Sequence, residues 1–331
     1  MRRALASLVL LVVLAALAAC DRPSAPPASG ASSSRVALGD LRFVTLSPAL
    51  GLMLQDLGLE DQIVGAHDYD SALARSIPRV GSLESIDYEA LLRARPTHVL
   101  VEISDDRALP ERLVALGEAQ GWVLRRVRTL RTLDDIAETM DDLYLDYVSP
   151  PEAEAPGVLG FSDPGSRFEK TMPSEAFARS LGDRGPAVRR AGRVLLLGAL
   201  SPPQAFGPGS FHAQVLERIG GISAIEGGGM WQELDAEDVV RLSPDAIVII
   251  SPRDEGEGDR FAPPPPLSAP ELIERLGRVG TLDIPAIRRG RVALIDDPRS
   301  HIPAGSSMRA LGDELASILE RWGDEGEAGA P

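Results

Sequence analysis

One pattern occurs twice in this chain. Residues Asp87–Val101 (DYEALLRARPTHVLV) return as Asp235–Ile249 (DAEDVVRLSPDAIVI), with Asp87, Glu89, Arg93 and Pro96 matched by Asp235, Glu237, Arg241 and Pro244 at a constant offset of 148 residues. In each copy an Asp stands where its carboxylate can accept from the first free amides of a helix. A short amphipathic run follows, Pro marks its end, and an apolar run of strand length comes next. That is a helix-to-strand unit of a parallel sheet buried on both faces. Its recurrence so far downstream predicts an α/β fold of two related Rossmann-like lobes with parallel sheets. Two copies are too few for a solenoid.

The rest of the chain parses around these copies. Residues 37–147 read as the N-terminal lobe: a strand over Arg42–Leu46, a helix opened by Ser47 and Pro48, a strand Ile63–Ala66, then the repeat and a long helix Leu133–Tyr147. Residues 148–192, with Pro150, Pro151, Pro156, Pro164 and Pro173, read as an interlobe connection that is only partly helical, because each Pro removes an amide and crowds the preceding turn. Residues 193–322 form the second lobe, with Ser210 as cap of helix Phe211–Ile219, a surface excursion over Arg253–Pro266, and a helix Ser307–Trp322. The tail, residues 323–331, reads as disordered. A length of 331 residues is ample for two cores, and a net charge of −15 argues against a nucleic-acid partner, since no continuous cationic surface is available to neutralise phosphates.

The N-terminus carries a different signal. Arg2 and Arg3 precede the apolar run Leu8–Leu14, and Leu17-Ala18-Ala19 lead to Cys20, the single cysteine of the chain. A charged start, a short apolar stretch and a small-residue exit make residues 1–20 a secretory signal, too short to span a bilayer comfortably. The Leu-Ala-Ala-Cys ending resembles the lipobox of bacterial lipoproteins, which implies lipidation of Cys20; an ordinary signal peptide with an incidental Cys is the alternative. Residues 21–36, rich in Pro, Ser, Ala and Gly, read as a flexible tether. The membrane contact would then be by the lipid anchor only, at the periplasmic or extracytoplasmic face.

Taken together, the segments VTLSPALGLMLQDLGL from Val44, IVGAHDY (Ile63–Tyr69), Val80–Val101, FGPGSFHAQVLERIGG (Phe206–Gly221), the second repeat copy and IRRGRVALI (Ile287–Ile295) resemble the substrate-binding proteins of ABC importers for vitamin B12, haem and iron–siderophore complexes. The resemblance spans most of Arg42–Leu319. It implies two lobes joined by a helical backbone, a ligand cleft between them, no enzymatic activity, no permanently bound cofactor, and a monomer that delivers its cargo to a permease and its ATPase. The interlobe prolines depart from the single uninterrupted backbone helix of that class.

Candidate residues follow from both readings. Ligands of open α/β sheets bind beyond the carboxyl ends of the strands, where Ser47 and Ser210 begin helices whose free amides suit an anionic group; simple helix capping is the plainer role for both. Trp231, at a place that matches a cleft aromatic of the B12-binding members of the class, offers with Tyr69, Phe206 and Phe211 flat faces for a corrin, porphyrin or catecholate; a Trp that closes the core of its lobe is the plainer role. His67, His212 and His301 fall where they would border the cleft and could share a metal or supply an axial ligand to iron or cobalt, although no His-x-x-His spacing supports a local site. Glu89 and Glu237 match the paired glutamates by which this class docks on permease arginines, and each also sits favourably in the first turn of its helix. The stretch Ser300–Gly305 lacks the arginines expected for a highly anionic ferric complex, so cobalamin stands ahead of haem, ferric siderophores and free metal ions. A hydrolase built on Ser210, His212 and Asp296-Asp297 is disfavoured, because Gly209-Ser210-Phe211-His212 is no Gly-x-Ser-x-Gly elbow. A sensor lipoprotein without a transporter is the remaining alternative.

Overall fold

In the computed structural model, which describes residues 40–149, 172–251 and 266–328, the N-terminal lobe is built on a four-stranded parallel sheet. Phe43–Thr45 (β1) feeds helix Pro48–Asp56 (α1), and Ile63–Gly65 (β2) pairs beside β1. A hairpin, Gly81–Ser82 (β3) with Ser85–Ile86 (β4), precedes the first repeat copy, helix Tyr88–Ala94 (α2) and strand His98–Glu102 (β5). Glu111–Gln120 (α3), Val123–Val127 (β6) and Leu133–Tyr147 (α4) complete the lobe, with strand order β2-β1-β5-β6. A reciprocal cap starts α4: Thr132 accepts from the Asp135 amide at 3.1 Å and Asp135 accepts from the Thr132 amide at 3.0 Å. Its Leu133, Ile136, Met140 and Leu143 recur at helical spacing and are all buried.

Two short helices, Pro173–Ser180 (α5) and Pro186–Arg190 (α6), lead into the second lobe, each with Pro in its first turn where the missing amide does no harm. Next come Arg193–Leu200 (β7), Pro203–Phe206 (β8), Phe211–Arg218 (α7), Ile222–Ser223 (β9), Trp231–Glu233 (β10), and the second repeat copy, Ala236–Leu242 (α8) with Ala246–Ile250 (β11). Ala269–Arg275 (α9), Pro285–Arg288 (α10), Val292–Ile295 (β12) and Gly305–Ala328 (α11) follow. Strands β7, β11 and β12 are parallel, and β9 runs parallel to the first half of β7. Beyond that half the chain doubles back, so β8 pairs antiparallel to β7 and β10 antiparallel to β8. This antiparallel arm adds to the parallel sheet that the sequence predicts.

The repeat extends to individual dihedrals. Asp87 accepts from the amides of Glu89 and Ala90, and Asp235 from that of Asp238. Each helix then stops at a left-handed residue, Arg95 at φ 47° and Ser243 at φ 46°, again 148 positions apart and the only non-glycine residues of positive φ among those described. Both precede the Pro that ends the helix signal.

One apolar core serves both lobes. Phe43 and Leu100 of the first sheet, Val194, Leu196, Val248 and Ile250 of the second, and helices α1, α4 and α11 between them belong to one contiguous cluster. The outer faces of the two sheets carry separate clusters. Hydrogen bonds cross the same boundary: Gln214 Oε1 accepts from the Leu133 amide at 2.8 Å, and the Asp56 carboxylate accepts from the Ser306 amide at the start of α11 at 2.9 Å. Burial pushes the Asp56 carboxyl up, against the opposing pull of its Ser306 bonds.

The C-terminal tail differs from its sequence reading. Helix α11 runs past Trp322 to Ala328, because Gly323 packs where a Cβ would lie 2.0 Å from the Ala187 carbonyl oxygen and Arg190 bonds both the Gly323 carbonyl and Asp324. The composition of 323–328 hides this, since the contact partners lie far upstream. The signal segment, the tether, Cys20, most of the interlobe prolines and most of Arg253–Pro266 lie outside the described residues. Among the described residues no helix is long and apolar enough to cross a membrane. Asp87→Ala, which strips two amides of their acceptor, should cost about 1 kcal/mol, read as a lower denaturation midpoint at unchanged slope.

Candidate functional site

In the N-terminal lobe the carboxyl ends of β1, β2 and β5 open on a polar cavity of about 330 Å³, lined among others by Ser47, His67, Glu84, Glu102, Ser104 and Arg107. Ser47 does not cap α1. Its hydroxyl donates instead to Glu102 Oε2 at 2.6 Å, and Glu102 Oε1 accepts from the Leu130 amide at 3.1 Å. The helix start manages without a side-chain cap because Pro48 removes one of the amides that would need it. His67 Nδ1 accepts from the Tyr69 amide at 3.1 Å, and burial holds its pKa below the usual histidine value. Tyr69 tilts over the His67 ring at 5.6 Å and is 82% exposed. Arg107 is engaged with Glu84 at 3.2 Å.

In the second lobe the equivalent strand ends carry an aromatic and imidazole cluster. Phe206 is buried and its ring centroid lies 3.7 Å from His212, 4.5 Å from Trp231 and 5.7 Å from His301. Trp231 pairs with Phe206 across β10 and β8, yet stays 47% exposed. Gly198 makes that pose possible: a Cβ there would stand 2.6 Å from the indole and 2.8 Å from the Phe206 ring. Below Trp231, His212 Nε2 donates to the Ser300 carbonyl and His301 Nε2 to the Ile250 carbonyl, both at 3.1 Å. Since a carbonyl only accepts, both rings carry their proton on Nε2. Burial drives the His212 pKa well down, with His301 5.0 Å away adding to it, and burial lowers that of His301 too.

The predicted residues therefore divide. Ser47 and His67 line the polar cavity, and Trp231, with the half-buried Phe211 and His301, forms the reachable part of the aromatic wall. Phe206 and His212 lie beneath that wall. Ser210 is buried and fully occupied as a cap, donating to the Gly207 carbonyl and accepting from the Ala213 amide. The three imidazoles do not assemble: His67 belongs to the other lobe's wall, and among the described residues no group of three or more His, Cys, Asp or Glu is placed to hold a metal ion. Glu102, Gln214 and Gly198 escaped the sequence reading. Only Gly198, a glycine inside an apolar strand run, left a local signal. Through Glu102, Leu130, Leu133 and Gln214 the polar cavity is tied to the helix that carries His212.

Arg299 is bound by Asp297 at 2.9 Å, and Arg309 lines a different cavity beside Asp56. Glu89 and Glu237 are both exposed in the first turns of α2 and α8. Each helix runs antiparallel to its sheet, so both carboxylates lie toward the strand ends that carry the two walls.

No protein-family model matches the sequence, and neither does any curated protein sequence. The structure, however, is similar to solved ones. The periplasmic haem-binding protein HutB of Vibrio cholerae aligns with a TM-score of 0.61 at 16% identity, over 84% of this chain and 98% of that one. The haem-binding protein RhuT of Roseiflexus sp. RS-1 gives 0.58 at 19%, over 86% and 99%. The vitamin B12 binding protein BtuF of Vibrio cholerae gives 0.54 at 15%, over 85% and 97%. Identities this low establish the fold: this chain has the two-lobe α/β architecture of periplasmic binding proteins.

A depressed folded-state pKa makes His212 a pH-dependent liability. Above about pH 6.5 its neutral form is common to folded and unfolded chains; below that value only the unfolded chain readily takes up the proton, so stability falls as pH drops toward the folded pKa. His212→Gln should therefore flatten the stability profile between pH 7.5 and 5.5 relative to wild type, by up to about 1.4 kcal/mol per pH unit. Parallel profiles would contradict the neutral assignment.

Proposed function

We propose that this chain, which has the fold of the periplasmic binding proteins, is a substrate-binding protein of an ABC importer. In this reading it works on the extracytoplasmic side, tethered through Cys20, holds a bulky metal-containing ligand between its lobes and passes it to a permease and its ATPase without covalent chemistry. The observation that carries the proposal is Trp231: a half-exposed indole laid on the buried Phe206 ring, over Gly198, at the strand ends where open α/β sheets take their ligands. An apolar aromatic in water costs stability unless something covers it, and a flat macrocycle is the complementary shape.

The polar cavity of the first lobe supports the choice among ligands. It offers Glu102, Ser47, Ser104 and His67, and its cation Arg107 is already engaged with Glu84. Hydrogen-bond donors such as the amides around a corrin ring suit such a wall, whereas the carboxylates of haem or of a citrate-type siderophore would meet Glu102 with no free guanidinium beside it. Vitamin B12 or a related corrinoid is therefore the first choice, with haem, a ferric siderophore and a free metal ion following. The solved haem- and B12-binding relatives, and a siderophore-binding protein, BauB, with a TM-score of 0.56 at 13% identity, support the class and leave that order to the walls of the cleft.

Calorimetric and visible-absorbance titration with cobalamin, haemin and a ferric-siderophore panel tests the reading. Saturable cobalamin binding, weakened about tenfold or more in Trp231→Ala at unchanged thermal stability, is the expected result. Binding of haemin alone would replace the cargo. Silence across the panel, or binding indifferent to Trp231, would refute the importer reading as built on this wall.

A further inference from the structure

Among the described residues eight large apolar side chains are exposed, and two of them, Leu92 and Val240, are counterparts in the two copies of the repeat. They are 40% and 49% exposed, while their neighbours Leu91 and Val239 are fully buried and pin the helices to the sheets. One helical step therefore turns Leu92 and Val240 outward in both lobes. Glu89, Leu92 and Arg93, at i, i+3 and i+4, share one face of α2, and Glu237, Val240 and Arg241 share the matching face of α8. Each lobe shows the same exposed stripe of carboxylate, apolar side chain and guanidinium.

Folding does not call for this stripe. Val is a poor choice for a solvated helix position, and an exposed aliphatic side chain gains nothing from burial. A lone exposed Leu is commonplace; the same exposure at equivalent places in two lobes that match at only a few positions is not. The local ion pairs do not explain it either, for they differ: Arg93 reaches Glu89 at 3.5 Å, whereas Arg241 turns to Asp238 at 2.8 Å. What the copies keep in common is the outward pattern itself.

We propose that Leu92 and Val240 are paired apolar anchors of the surface by which the protein docks on its membrane partner, each seated beside the docking carboxylate of its own lobe. The proposal rests on the docking role read for Glu89 and Glu237. Two like stripes on one chain fit a partner with two equivalent halves, and twofold dimers are the commonest way to make them. Each half would offer a cation for the glutamate and, next to it, an apolar pocket for Leu92 or Val240. The charge complements the carboxylates and the pocket removes water around the ion pair, which strengthens it. With one apolar anchor per lobe the contact is small, as a carrier that must leave again requires.

The test uses the full chain, cargo-loaded, with a permease–ATPase complex of the B12, haem or siderophore class from the same genome in lipid nanodiscs, and measures docking affinity for Leu92→Ser, Val240→Ser, the double variant, Glu89→Gln and Glu237→Gln. Leu145→Ser, at a residue 55% exposed on α4 and outside the repeat, is the control. The expected result is a loss of about fivefold for each single apolar variant, a roughly multiplicative loss for the pair, no change for the control, and unchanged cargo titration in all. Weakening by the glutamate variants with none from Leu92→Ser and Val240→Ser would overturn the apolar anchors while leaving the docking reading intact. A loss confined to one lobe would overturn their equivalence. Indifference to all four positions would remove the docking reading and the anchors together.

Discussion

The structure depends on burying the inner faces of two small sheets against the same helices. The strands of the first lobe's parallel sheet are three to five residues long, and its inner-face side chains, Phe43 and Leu100, pack into the cluster that also takes Val194, Leu196, Val248 and Ile250 of the second. Helices α1, α4 and α11 fill the space between with Leu50, Met53, Ile136, Leu143, Leu311 and Leu315, each worth roughly 1.5–3 kcal/mol when fully buried. The helices of the two lobes pack on one another within that cluster. Separating or sliding them would expose this layer and break the Gln214–Leu133 and Asp56–Ser306 bonds, so large opening motions are costly.

Fixing the lobes fixes the two walls, and the walls are unlike. One is polar and built from Ser47, Glu102 and their bonded neighbours; the other is an indole on a phenyl ring with two neutral imidazoles behind it. The imidazoles spend their Nε2 protons on backbone carbonyls, His301 on that of Ile250 at the end of β11 and His212 on that of Ser300. They thereby brace the strand end beneath Trp231. The corrinoid proposed above would bring hydrogen-bond donors to the first of these surfaces and a flat face to the second.

Much of this was legible because it is local. The repeat encodes cap, helix, stop and strand within fifteen residues, and the structure follows it as far as the left-handed Arg95 and Ser243. Long amphipathic runs such as Leu133–Tyr147 appear where their spacing places them. What was hidden is non-local. Strands β8 and β10 are four and three residues long amid Gly and Pro, and exist because β7 lies beside them. Ser47 and Ser210 look alike in sequence, both opening a helix after a strand; one hydroxyl turns to the distant Glu102, whereas the other donates to the nearby Gly207 carbonyl and still accepts from the Ala213 amide. Likewise the pairing of His212 and His301, with His67 left on the opposite wall, depends on which loops the core brings together.

Hydrogen exchange along the chain, with and without the cargo selected by titration, tests the central claim most directly, namely one rigid body carrying two unlike walls that close on a single ligand. Protection should rise on both walls together, around Ser47, His67 and Glu102 on one side and around Phe206, Trp231 and His301 on the other, while α1, α4 and α11 exchange as slowly free as bound. Protection confined to one lobe, or core helices that slow markedly on binding, would contradict it.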